Sequence, residues 1–132
     1  MHEKEKAALK FLEEICVAFP EIRPLMDKHE DYMTTSKMEA FSTATTLAFS
    51  RNGDPKKGVA YLNFMSERLK HASPVELEYI DVYYVETLFW ESSDKAIAQG
   101  WPLVPGNLKD LYLKFHRWPP GALRKLGNGK RI

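Results

Sequence analysis

Hydrophobic positions along the chain recur at helical spacing, and alternating runs bounded by hairpin turns are absent. Over residues 3–19, Ala8, Leu12, Ile15 and Phe19 form one stripe, joined by Phe11 and Cys16. Pro20 and Pro24 interrupt the chain, and a short second helix is expected at about 22–32. Ser36-Lys37-Met38-Glu39 has the form of a capping box, which predicts a helix through Phe41 and Leu47 that stops near Arg51, ahead of Asn52-Gly53. Its Thr-rich, β-branched composition is a poor helix signal. Asp54-Pro55 offers an N-cap followed by a first-turn proline, for a helix that turns Val59, Leu62, Met65 and Leu69 inward and ends near His71. Ser73-Pro74-Val75-Glu76 repeats the device with a box-type glutamate. A turn of helix is expected at 95–99, and a last helix after Pro105-Gly106-Asn107, where Leu108, Leu111, Tyr112 and Phe115 keep helical spacing until Pro119-Pro120-Gly121.

The segment Leu77–Glu91 breaks the amphipathic pattern. On an α-helical wheel Leu77, Ile80, Tyr84, Val85 and Leu88 occupy one arc that also holds Asp81. Tyr79, Val82, Tyr83, Phe89 and Trp90 occupy a nearly opposite arc around Glu86. A helix apolar nearly all round is expected to be buried on several sides. The pattern as a whole predicts an all-α, single-domain, irregular or orthogonal bundle of five to seven helices, with this element, at about 74–91, as its central buried helix.

At 132 residues the chain is one domain's worth, long enough to bury a core. Its single cysteine, Cys16, rules out an internal disulfide framework and suits a reducing cytoplasm; on an apolar face it reads as a small core residue. No apolar run is long enough to span a bilayer, and the charged N-terminus is unlike a secretory signal. Charge is unevenly placed. Residues 1–110 hold 18 acidic groups against 13 Lys or Arg, a net of −5, whereas residues 111–132 hold six basic groups and no acid. An acidic body argues against a nucleic-acid-binding domain. Residues 1–118 are therefore expected to form the bundle and 119–132 a basic, partly disordered tail, with RNA or membrane contact by the tail as the alternative.

Signals for chemistry are sparse. The four histidines are far apart, and Asp27-Lys28-His29-Glu30-Asp31 fits neither an EF-hand loop nor a zinc motif; a solvated acidic helix end is the simpler reading, and no metal or other cofactor is expected. No nucleophile elbow, phosphate loop or dinucleotide fingerprint occurs. Asp81 and Glu86 would project about 140° apart on an α-helix and so form no dyad. Glu86 reads as a structural buried carboxylate that accepts hydrogen bonds from Trp101 or the 100–107 loop, and Asp81 as an edge residue open to a partner. Trp90, rimmed by Glu91 and Asp94, is either an interface anchor or a cap over the end of the core.

The pieces Phe64-Met65-Ser66-Glu67, Ile80-Asp81-Val82-Tyr83-Tyr84-Val85-Glu86-Thr87-Leu88 and Leu103 to Leu113 carry a resemblance. With these, about half the chain resembles small bacterial helical proteins of the kind that serve as immunity partners of polymorphic toxins, including those of contact-dependent growth inhibition. Asp81 departs from that pattern, which has a neutral amide there, and the N-terminal half contributes no match. The resemblance implies a non-catalytic protein, monomer or weak dimer, that binds and neutralises a cognate toxin. An acidic body complements a nuclease toxin's basic, phosphate-gripping surface. Asp27, Glu30, Asp31, Asp81, Trp90, Glu91 and Asp94 are the expected partner-binding residues. A regulatory or adaptor bundle is the second reading, and a small enzyme using a buried carboxylate the third.

Overall fold

In a computed structural model, described over residues 2–122, the chain folds into seven α-helices with no strand among the described residues. Helix α1 (Glu3–Ala18) buries Ala8, Phe11, Leu12, Ile15 and Cys16, the spacing of a single helical face, and starts with Glu3 and Glu5 where the helix dipole favours acids. A 3₁₀ turn (Pro20–Ile22) and the four-residue α2 (Arg23–Met26) replace the longer helix expected there. Arg23 clasps Glu13 of α1 through two 2.8 Å hydrogen bonds. Helix α3 spans Thr34–Ala48 and α4 spans Pro55–Leu69, with Asp54 capping the Lys56 amide of α4 at 3.1 Å. The capping box at Ser36 does not form: α3 begins at Thr34, three residues before the Lys37 start that the box implies, with no side-chain cap.

Helix α3 is the hub. It touches α1, α2, α4, α6 and the segment after α5. Its buried residues are mixed: Met38 and Phe41 are apolar, while Thr34, Lys37, Ser42, Thr45 and Thr46 are polar. The hydroxyls explain the Thr-rich composition, because each has a hydrogen-bond partner on another element or on its own backbone.

That partner element is the stretch expected to be one long helix. The cap forms as expected, with Ser73 Oγ accepting from the Glu76 amide and Glu76 accepting from the Ser73 amide. The α-helix that follows, α5, covers only Pro74–Glu78. From Tyr79 to Val85 the chain is a π-helix, and residues 86–91 are turns. The reason lies in the order of core residues. Tyr79-Ile80, Tyr84-Val85 and Leu88-Phe89 are all buried, and the first two pairs are five residues apart. An α-helix cannot bring pairs at that spacing onto one face, whereas i→i+5 bonding can. Burial is therefore one-sided: Val82, Tyr83, Glu86 and Thr87 are half-buried, and Leu77 and Trp90 are exposed.

Side chains from α3 compensate the widened backbone. Ser42 Oγ donates to the Tyr84 carbonyl (2.8 Å), and the Phe89 amide donates to Thr46 Oγ1 (2.9 Å). The hydroxyl pairs Thr34–Tyr79 (2.6 Å) and Thr45–Tyr84 (2.9 Å) complete the row, so α3 runs parallel to the 79–89 segment.

Helix α6 (Asp94–Gly100), a 3₁₀ turn (Trp101–Leu103) and α7 (Gly106–His116) close the bundle. Gly58 of α4 and Gly100 flank the buried Phe49 ring so closely that a Cβ at either would lie 2.6–2.7 Å from it. Asn107 and Ser66 bond reciprocally (2.7 and 3.0 Å), tying α7 to α4. Pro120, Gly121 and Ala122 are half-buried, with the Gly121 backbone close to Ile97 of α6. The tail expectation itself, with Arg124, Lys125, Lys130 and Arg131, lies outside the described residues. No helix of the described residues is long and apolar enough to cross a membrane.

The Thr46–Phe89 bond gives a direct test. Thr46→Val leaves a buried amide without a partner and should lower unfolding free energy by about 1–3 kcal/mol in urea titration. Thr43→Val, one turn away on the exposed side of the same helix, should change it by less than about 0.5 kcal/mol.

Candidate functional site

The half-buried side of the π-helix forms one wall of a cavity of about 570 Å³. Val82, Tyr83, Glu86, Thr87 and Trp90 come from this wall. Glu39 and Thr43 enter from α3, and Phe115 with His116 from the end of α7. Trp90 and Phe115 are 70% and 56% exposed, so they stand at the rim as open aromatic surface instead of closing the core.

Backbone strain borders this groove. Three described non-glycine residues adopt left-handed backbone angles: Phe89 (φ 61°), Glu91 (φ 50°) and Arg117 (φ 69°). The first two flank Trp90, and the third follows His116. A left-handed aromatic or glutamate costs on the order of 1 kcal/mol each, so the turn that presents Trp90 is held by its surroundings. The Phe89 ring, buried on the inner side, and the Thr46 bond to its amide are what hold it.

His116 is fixed in the groove wall. Its Nε2 lies 2.9 Å from the Glu86 carbonyl, which can only accept, so Nε2 carries the proton. Its ring stacks on Tyr112 (4.1 Å between centroids) and meets Phe115 edge-on (4.8 Å).

Glu86 is not the internal acceptor expected from sequence. It is half-buried on the groove, and no described residue donates a hydrogen bond to its carboxylate. Trp101 instead packs against Tyr112 and Phe89 beneath the Lys109 ammonium. The 140° separation from Asp81 also fails. The Glu86 amide bonds the Asp81 carbonyl at 3.1 Å, the i→i+5 contact of a π turn, which places residues five apart on one side. Partial burial raises the Glu86 carboxyl above the usual carboxylate range, the nearby Asp81 charge raises it further, and His116 opposes.

The remaining candidates divide between two ends of the bundle. Asp27, Glu30 and Asp31 are exposed beside the start of α3, where Asp31 lies 3.6 Å from the ammonium of buried Lys37, which also donates to the Met26 carbonyl. Trp90, Glu91 and Asp94 are exposed beyond its other end. The α3 row from Thr34 to Thr46 spans about 18 Å at the α-helical rise, so these acids do not form one surface. Glu91 and Asp94 adjoin the groove in sequence without lining it, and Asp81 acts on it only through its charge. Among the described residues no group of three His, Cys, Asp or Glu is placed to hold a metal ion. Sequence reasoning missed Glu39, Thr43, Phe115 and His116 as site residues; the Phe115-His116 pair beside a helix-ending Arg117 was the available signal.

A family model described as a domain of unknown function, DUF7674, matches residues 12–117. The chain belongs to that family. The DUF7674 match takes in every residue that lines the groove, together with Phe89 and Glu91 that flank Trp90. No curated protein and no solved structure matches the chain.

Two measurements check the strain and the charge. Glu91→Gly, at an exposed left-handed position, should raise unfolding free energy by roughly 1 kcal/mol, and Glu91→Val should lower it. A carboxyl raised on folding disfavours the folded state once it ionises. Glu86→Gln should therefore raise the melting temperature at pH 7, with the gain disappearing as pH falls through the raised carboxyl pKa and below its unfolded value.

Proposed function

We propose that this DUF7674 protein is a non-catalytic binding protein that takes a protein partner on the Trp90–Phe115 groove, and that the partner is a cognate bacterial toxin domain it neutralises. The observation that carries the binding reading is Trp90, exposed at the lip of the cavity between two strained left-handed residues. Glycine is the residue that takes such backbone angles without strain, and tryptophan is among the residues enriched at the energetic centres of protein interfaces. The fixed groove wall supports binding over catalysis, since His116 spends its Nε2 proton on holding the turn. The toxin as partner rests on the resemblance of the 64–113 pieces to immunity proteins and on the net acidity of residues 1–110.

A toxin domain should be encoded beside its gene, and co-expression with that domain should protect the host and yield a complex that copurifies. Trp90→Ala should weaken that complex by at least about 2 kcal/mol, roughly thirtyfold in Kd, while Trp118→Ala, exposed outside the groove, should leave it within twofold. Protection lost in neither variant would remove the groove from the reading, and absence of both protection and complex would remove the toxin.

A further inference from the structure

We infer that the groove recognises a cationic side chain, an arginine or lysine projecting from a basic segment of the partner, held between aromatic faces and two carboxylates. The inference rests on the groove being the partner site and names the chemistry that it reads. Two observations point to a cation. Tyr83, Trp90 and Phe115 line the cavity with aromatic surface, and two of these rings are more than half exposed. A guanidinium or ammonium is drawn to such faces by the ring quadrupole, and arginine can also stack on them.

The second observation is charge. Glu39 and Glu86 line the same cavity, no Lys or Arg among the described residues lines it, and neither carboxylate has a hydrogen bond or ion pair with a described residue. Elsewhere on the protein, acids near cations are paired: Glu13 with Arg23, Glu14 and Glu76 with Arg68, Glu67 with Lys70, and Glu78 with Lys4. The Asp81 charge beside Glu86 makes the excess negative potential larger. A cation entering the groove would meet both carboxylates, and a bidentate pair with one of them is within the reach of an arginine fork. An anionic or purely apolar segment would leave both acids desolvated and unpaired, at a cost the aromatic contacts would have to overcome.

The test uses the full chain and the acetylated, amidated peptide Gly-Arg-Gly-Arg-Gly, with Glu and Leu replacing Arg in two controls, followed by calorimetric titration at low salt. The arginine peptide should bind, the controls should not, and Trp90→Ala, Glu39→Gln and Glu86→Gln should each weaken binding about fivefold or more. Raising salt should weaken it further. Failure of the arginine peptide to bind at millimolar concentration, or binding unchanged in all three variants, overturns the inference. Binding that appears only after Arg124, Lys125, Lys130 and Arg131 are replaced by serine supports the cation but overturns the partner as its source, in favour of the chain's own C-terminal segment as occupant. A toxin complex that depends on Trp90 but is unaffected by Glu39→Gln and Glu86→Gln overturns the cation while leaving the proposed function standing. Peptide binding with no toxin complex supports the cation and removes the toxin.

Discussion

The hydroxyl row of α3 is what the rest of this fold depends on. A π-helix widens the turn and carries poorer backbone bonding than an α-helix, so it persists only where neighbours compensate it. Thr34, Ser42, Thr45 and Thr46 do so along the length of the 79–89 segment, reaching two phenol groups, a carbonyl and an amide. Every one of these groups is buried, where an unpaired polar atom is costly, and no described side-chain polar atom is left buried without a partner. Phe41, tilted against Tyr84 with ring centroids 5.2 Å apart, places the apolar contact in the middle of the row. The polar and apolar parts of this interface thus require the same register.

From that register the groove follows. With Tyr79-Ile80, Tyr84-Val85 and Leu88-Phe89 drawn onto the core, the intervening Val82-Tyr83 and Glu86-Thr87 have to face outward. The π turn brings Glu86 round to the side of Asp81, and the turn at its end leaves Trp90 outside. Helix α7 supplies the opposing wall, and the His116–Glu86 bond joins the two. The groove is thus an aromatic, acidic surface whose two walls are held in place by hydrogen bonds, and a surface fixed in this way loses little conformational freedom when anything docks on it.

Much of the fold was legible in the sequence. The all-α class, the apolar face of α1, the Asp54 and Ser73 caps and the start of α7 depend on local spacing and local hydrogen bonds, which sequence displays directly. Errors arose where a side chain's partner is remote. Ser36-to-Glu39 has the letters of a capping box, yet α3 starts at Thr34, whose hydroxyl meets Tyr79. Trp90 reads in sequence either as an interface anchor or as a cap on the core, and only the structure, which leaves it exposed beyond the Phe89 turn, removes the cap.

The sequence by itself determined that this chain is helical, where most of its helices begin, and that an unusual aromatic segment carries two carboxylates. The tertiary structure alone decided how that segment winds. A wheel with fixed α-helical pitch cannot register an added residue per turn, because which five-spaced pairs are buried is settled by packing against the core, with the widened turns then supported by hydroxyls of another helix. That single change of pitch moved Glu86 from the core to the groove and beside Asp81, and it turned an apparently all-round apolar helix into one buried face and one half-buried, groove-lining face.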